Sequence, residues 1–499
     1  MDRLSRIFKL IVLDKQEIDI LKKITFFIKE NLIIIAFIFS IILTIVLRYK
    51  GLTFQSHWFD ELFSARLSNP AHSFSTVYQQ AMSDVHPPFY PILLWLWYHL
   101  VGFSEFSGRA LAMIIGTLGI FFTYLLGKEL YNKEVGIYSS YIAATNYFLI
   151  YYAQEVRSNI LLYLFSVLSY LYFIRLLGNY TTKNLFYYIL FSILLMYTHY
   201  FGFFLVASQV FVFLYYLIKD KEKRKFLLKL SILASLLMLF LLIPLFQRIL
   251  EHMHTDGYWM ETPKPLFFFS YMKAFVLSPF LHKIFFALLL LTFIYMYFDK
   301  KYKSSTIILF IWVVIGFLLP YIKSVSGFSI LIERNMIIVI PALIVLIAYG
   351  IYLLKNYWIK GSLLVIIIFF ALYHIYRMEY YEKITKDQFR ETLQNIVRIN
   401  HEIPVFDFIY GGKTFKTQAS MLNIKMDFQS LKDLKILKKK KKIPSCFWVA
   451  HGHIDSISDT NILKTKGMQK VMTIENFQAQ AFLYAYKVDS QDCLKDKNE

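Results

Sequence analysis

Apolar residues in this chain gather into runs about as long as a membrane crossing. A run at 31–47 is followed by others near 110–127, 135–151, 160–177, 184–198, 200–218, 227–247, 283–298, 305–321, 336–354 and 361–377. Each approaches the roughly 20 residues that a helix needs to span about 30 Å of hydrocarbon at about 1.5 Å per residue. The pattern therefore predicts a polytopic α-helical membrane protein with about eleven transmembrane helices. Two shorter runs, 89–101 and 266–277, predict interfacial or re-entrant helices, the first opening on Pro87 and Pro88. The apolar rhythm stops near Met378. Beyond it, 386–399 and a stretch near Leu431 read as helices, and 403–409, 446–450 and 479–488 as strands.

Charge gives these spans a direction. Lys22, Lys23 and Lys29 precede the first run and place the N-terminus in the cytoplasm. Counting onward, the turns 128–134, 175–183, 219–229, 299–303 and 355–360 fall on the same side, and every one is basic. A formal charge of +20 is thereby absorbed by the positive-inside rule, and without zinc-finger or RNA-binding motifs it excludes a nucleic-acid partner. With 57% apolar and 18% charged residues the chain is too poor in polar surface for a soluble protein of its length. The expected organisation is a cytoplasmic tail at 1–30, without a cleavable signal, and a transmembrane domain at 31–378. A small α/β domain at 379–499 follows outside the cytoplasm, in a multi-pass protein of the cell membrane. The two cysteines, Cys446 and Cys493, both lie in that last domain, where a disulfide is compatible with an outside location.

The same parity collects the unusual polar residues on the outer side. The first outer loop, about 49–109, is longer than a connection requires and carries Asp60, Glu61, Asp84, His86, Glu105 and Arg109. Later outer turns add Gln154, Glu155, Arg157, His199, Tyr200, Glu251, His252, His254, Asp256, Tyr258, Glu261, Glu333 and Arg334. Chemistry, if present, belongs on that face.

Asp60 and Glu61 follow directly on an apolar span, where ionisable groups are costly and usually serve function. Neighbours on a helix point about 100° apart, so the two acids do not form a facing dyad, and one general base suffices. A helix cap or an ion pair with Arg66 is the plainer alternative. The prolines of the DVHPP turn at 84–88 fix the backbone around His86, while Arg157 and Arg334 offer guanidinium forks suited to phosphate. A salt bridge with Glu155 is the plainer use of Arg157. Acids beside fixed cations at a lipid interface suit group transfer from an amphiphilic phosphate. No P-loop or dinucleotide glycine motif indicates a soluble nucleotide donor. Two other functions share these features: a transporter or flippase of lipid-linked glycans, and a scaffold for envelope assembly. His451 and His453 flank a glycine, but two histidines without further ligands read as a surface turn.

The segments WFDELFSARL at 58–67, DVHPPFYPILLWLWYHLVG at 84–102, SEFSGRALAMIIGTLGI at 104–120, YYAQEVRSN at 151–159 and THYFG at 198–202 resemble, in order and spacing, one group of membrane glycosyltransferases of the GT-C fold. It is glycosyltransferase family 39, with the protein O-mannosyltransferases and the lipid A aminoarabinose transferases, and the likeness is strongest to bacterial members. It covers roughly 50–220, with ERNMIIVIPAL at 333–343 similar to the family's Arg-containing start of a late span. The resemblance implies a GT-C fold and a polyprenyl-phosphate-linked sugar donor. It implies a protein, lipid or glycan acceptor and inversion at the anomeric carbon. It implies Asp60 as the catalytic base and Glu61 as the second acid of the pair. His86, Arg109, Glu155, Arg157, His199, Tyr200 and Arg334 are then the candidates for binding donor phosphate or substrate. No cofactor is assigned; metal dependence varies in this fold, so a divalent cation stays an open alternative.

Overall fold

The computed structural model describes residues 15–253, 260–409, 412–453, 468–486 and Cys493; side chains are described from Leu32 onward apart from a few positions. Of the outer-side candidates, His254, Asp256 and Tyr258, with the side chains of Glu251 and His252, lie outside what is described.

The chain is a polytopic bundle of apolar helices followed by a small sheet domain. Among the described residues eight helices are long and apolar enough to cross a membrane: Asn31–Tyr49 within Lys15–Tyr49, Glu105–Leu130, Asn159–Gly178, Phe201–Lys219, Arg224–Arg248, Lys303–Ser326, Glu333–Tyr352 and Tyr357–Arg377. A ninth is reached if Phe267–Val276 and Pro279–Tyr295, bent by 116° at their junction, count as one span. The two remaining apolar runs are shorter helices. The run at 184–198 lies in Thr182–Thr198, of 17 residues. The run at 135–151 is divided into Lys133–Thr145 and Tyr147–Tyr152, because the Asn146 side chain accepts the Leu149 N–H and starts a new helix. Phe89–Val101, at 13 residues, is too short to cross about 30 Å of hydrocarbon.

Glu333–Tyr352 is the axle of the bundle, 94% of its apolar window being buried. Trp312 and Tyr271 donate to the carbonyls of Ile338 and Met336 at its opening 3-10 turn, which fixes where Arg334 emerges. Arg48, buried at the end of the first helix, donates to the carbonyls of Ala143 and Ala144, which the end of Lys133–Thr145 leaves without helical partners. Gln154 donates to the carbonyls of Arg48 and Lys50 and accepts from Tyr380. These bonds lock the ends of the helices into a platform under the first loop.

The sheet domain has strands β1 (Val405–Asp407), β2 (Phe428–Ser430), β3 (Cys446–Gly452), β4 (Met468–Asn476) and β5 (Ala479–Tyr486), in the order β2-β1-β3-β5-β4. β1 pairs in parallel with β2 and β3, whereas β3, β5 and β4 run antiparallel. β5 alternates as its sequence predicts, Ala479, Ala481, Leu483 and Ala485 facing the core. Helix Phe389–Ile399, with Phe389, Leu393 and Ile396 buried, covers the sheet beside Thr414–Met421, a helix without a clear apolar period. Leu431–Lys439 is the helix predicted near Leu431. Cys446 and Cys493 are disulfide-bonded.

The domain is docked firmly on the first loop. Gln55 accepts the N–H groups of Thr385 and Lys386 and donates to the Lys383 carbonyl. Arg390 reaches the carbonyls of Thr53 and Phe54 and the Glu105 carboxylate at 2.6 Å.

Candidate active site

The first loop folds into helices Phe59–Leu67, Phe74–Met82 and Phe89–Val101. The first begins after extended Trp58 and carries Asp60 and Glu61 in its first turn, where the helix dipole favours negative charge. The angle between successive side chains then sends the two acids into different environments.

Glu61 turns inward and is fully buried. Its Oε1 accepts from Arg109 Nε at 2.9 Å and from the Val156 N–H at 3.0 Å; its Oε2 accepts from Arg109 Nη2 at 2.7 Å and Lys386 Nζ at 3.2 Å. The Trp58 N–H adds a longer bond at 3.4 Å that caps the helix. Burial alone would raise this carboxyl, but Arg109 and Lys386 together hold it well below the usual carboxylate range. The ion pair lies with Arg109, 48 residues on, and not with Arg66, whose guanidinium covers the Phe63 ring. Arg109 is equally committed. Nη1 donates to the carbonyls of Leu52 and Gln55, Nη2 to that of Ser56, and the residue is 1% exposed. The fork predicted for phosphate is therefore occupied by the protein's own oxygens. The close approach requires Gly108, where a Cβ would stand 2.5 Å from Tyr98 Oη.

Asp60 faces the other way, its side chain 21% exposed. Its Oδ2 lies 3.1 Å from Arg334 Nη1 and 3.6 Å from Arg157 Nη2. Arg157 Nη1 also reaches the Asp60 carbonyl at 3.3 Å and Ser64 Oγ at 3.2 Å. Glu155 leaves Arg157 alone and pairs instead with Lys386 at 3.1 Å, buried on the Glu61 side. His86 is held by Asp84, whose Oδ2 is 3.2 Å from Nδ1. Burial would raise Asp84, yet the His86 bond and charge bring it below its ordinary value. The His199 ring lies 5.7 Å from that of His86, and its Nδ1 accepts the Phe201 N–H, so Nε2 carries the proton. Burial, with His86, Arg334 and Arg157 adding to it, keeps His199 well below the ordinary histidine range, hence neutral and a donor. Tyr200 is half-buried at the start of the next helix, its ring 6.5 Å from that of Phe203.

Thus Asp60, His86, Arg157, His199 and Arg334 converge, while Glu61, Arg109 and Glu155 form a second, buried cluster behind them. A shallow cleft lined among others by Phe63, Ser64, His86, Pro87, Tyr90 and Arg157 reaches the guanidinium that contacts Asp60. Sequence reasoning missed Lys386 and Arg390, whose partners lie some 300 residues away in sequence. Among the described residues no three His, Cys, Asp or Glu side chains converge to hold a metal. The immediate partners of Asp60 are guanidiniums, a setting that does not fit a divalent cation. His453 packs on Phe59, with Nδ1 3.4 Å from Asp387, and does not pair with His451 as a ligand set.

The buried cluster makes the loop acid-labile. Burial pushes His57 down to about 4 from 6.5, against the pull of Glu61. Between those values the unfolded chain binds more protons, so stability falls with pH through this window, by at most roughly 3 kcal/mol. Glu61, with its lowered pKa, adds a loss in the same direction below its unfolded value of 4.5. Melting temperatures from pH 7.5 to 4.5 should fall for the wild type and fall less for His57→Asn; parallel curves would exclude His57 as the source.

The helical bundle, its elaborated first loop and its small sheet domain make up a fold shared with solved membrane proteins. The family model described as dolichyl-phosphate-mannose-protein mannosyltransferase matches residues 85–246. The structure is similar to ArnT from Cupriavidus metallidurans in the apo state, with a TM-score of 0.64 at 11% identity, over 89% of this chain and 97% of that one. The same enzyme bound to undecaprenyl phosphate gives 0.63 at the same identity and coverage. The archaeal oligosaccharyltransferase AglB from Archaeoglobus fulgidus, in complex with an inhibitory peptide and a dolichol-phosphate, gives 0.51 at 12% identity, over 85% of this chain and 70% of that one. No curated protein sequence matches the chain.

Proposed function

We propose that this protein transfers a sugar from a polyprenyl-phosphate donor to an acceptor hydroxyl or amine on the outer face of the membrane, with inversion. The observation that carries the proposal is Asp60, a partly exposed carboxylate between two guanidiniums, one of which, Arg157, lines a cleft together with His86. Asp60 takes the proton of the acceptor as its oxygen or nitrogen bonds to the anomeric carbon. The bond from that carbon to the phosphate oxygen breaks, and the polyprenyl phosphate leaves with one more negative charge. Arg157 and Arg334 are placed to neutralise that charge, with the neutral His199 as a further donor. Glu61, Arg109 and Glu155 hold the acid helix and touch no substrate.

With eleven passes, counting the two shorter segments, the two ends lie on opposite sides, and the basic flank of the first run then assigns the N-terminus to the inside and residues 379–499 to the outside. The Cys446–Cys493 disulfide supports that side for the sheet domain. The protein in liposomes, given radiolabelled polyprenyl-phosphate sugars and envelope extract, should form a covalent labelled product. Movement of the lipid across the bilayer without product would make it a flippase instead. Arg334→Gln and Arg157→Gln should each lower kcat/KM by about 10- to 100-fold, the worth of one charge-assisted hydrogen bond. Unchanged kcat/KM in both would remove the phosphate from this end of the cleft.

A further inference from the structure

Beneath the acid helix three buried carboxylates, Glu61, Glu105 and Glu155, are paired with Arg109, Lys386 and the partly exposed Arg390, which is shared with Glu391. The helical bundle and its first loop supply these three buried carboxylates but only Arg109 among the cations. The other two arrive with the segment that enters the sheet domain. Lys386 is 8% exposed, its Nζ 3.2 Å from Glu61 Oε2 and 3.1 Å from Glu155 Oε1, and 5.4 Å from the centre of the Tyr151 ring. It thus ties the residue after Asp60 to the loop that carries Arg157. Next to it, Asp387 Oδ2 accepts the Phe59 N–H at 3.1 Å, at the first residue of the acid helix. His57, whose ring nitrogens have no hydrogen-bond partner, is neutral at ordinary pH and does not alter the balance.

We infer that Lys386 is a positioning residue for the transfer reaction: the sheet domain completes the active site by supplying the buried ammonium that fixes Asp60 relative to Arg157. The inference rests on the transferase reading for its kinetic test only. Without this ammonium Glu61 and Glu155 face each other's charge in a buried place. The acid helix and the Arg157 loop are then no longer drawn to a common point. A shift of about 1 Å between base and phosphate site is enough to cost about 10²-fold in rate.

The test uses the full-length protein in nanodiscs. Lys386→Met should lower kcat by about 10²-fold, with the KM for the lipid-linked donor within about twofold of wild type. Amides of Phe59–Leu67 should exchange hydrogen faster. Lys386→Arg should recover part of the rate. Glu155→Gln combined with Lys386→Met removes one charge of each sign and should recover folding and slow exchange toward wild type, which loss of packing alone would not allow. Wild-type kcat and unchanged exchange in Lys386→Met would overturn the assignment, as would a double variant no better protected than the single one. If the wild type transfers no sugar from any donor, the transferase reading falls, and the exchange of Phe59–Leu67 still decides the role of Lys386.

Discussion

Asp60→Asn is expected to reduce transfer by about 10²–10⁴-fold, the usual contribution of a general base, while leaving the fold intact. The amide has the shape of the carboxylate but cannot accept the acceptor's proton. Its loss costs little stability, because the side chain is 21% exposed and both of its ion pairs are partly open to solvent. The effect should divide sharply between the kinetic constants. With the carboxylate gone, Arg157 and Arg334 keep their positive charges with less to offset them, so the donor should bind as well as before or better. A collapse of kcat at unchanged or lower donor KM is therefore the signature. Unimpaired transfer would remove Asp60 from the chemistry, and a rise in donor KM at constant kcat would make it a binding residue.

Which of two adjacent acids would be the exposed one was not legible in the sequence. The 100° step says that they diverge, but the inward side is chosen by Arg109 and Lys386, the second of them 325 residues from Glu61 along the chain. The same limit explains Arg109. Its type and place in the first loop suit a phosphate, and only the fold shows the carbonyls of Leu52, Gln55 and Ser56 already filling its fork. In the DVHPP turn Asp84 lies within hydrogen-bond reach of His86, a contact between near neighbours that local sequence can suggest. Span length and basic turns located the long helices, but an apolar run says nothing of a break within it. At 135–151 the chain stays apolar on both sides of Asn146, so the division there is carried by two hydrogen bonds of its side chain, one accepted from the Leu149 N–H and one donated to the Phe275 carbonyl. In the sheet domain the alternation of β5 was visible, whereas Thr414–Met421 became a helix through packing against Phe389 and the first loop.

Removing Glu61 should cost stability more than any other single change at this site. Glu61→Ala leaves Arg109 buried with its Nε–H unpaired and one of two carboxylates gone from Lys386, a loss of about 3–5 kcal/mol for a broken buried pair. Arg109→Met should cost a similar amount by stranding the carboxylate. If the energy lies in stranded charge and not in the pair itself, Glu61→Ala with Arg109→Met should lose much less than the sum of the two single changes, since neither charge is left alone. Lys386 then retains Glu155, so the double variant folds with the acid helix less tightly tied. Thermal unfolding of the four proteins in one detergent measures the coupling directly. Additive losses would mean that Glu61 and Arg109 contribute by packing alone. A melting temperature for Glu61→Ala equal to wild type would mean that the buried network does not hold the helix on which Asp60 stands.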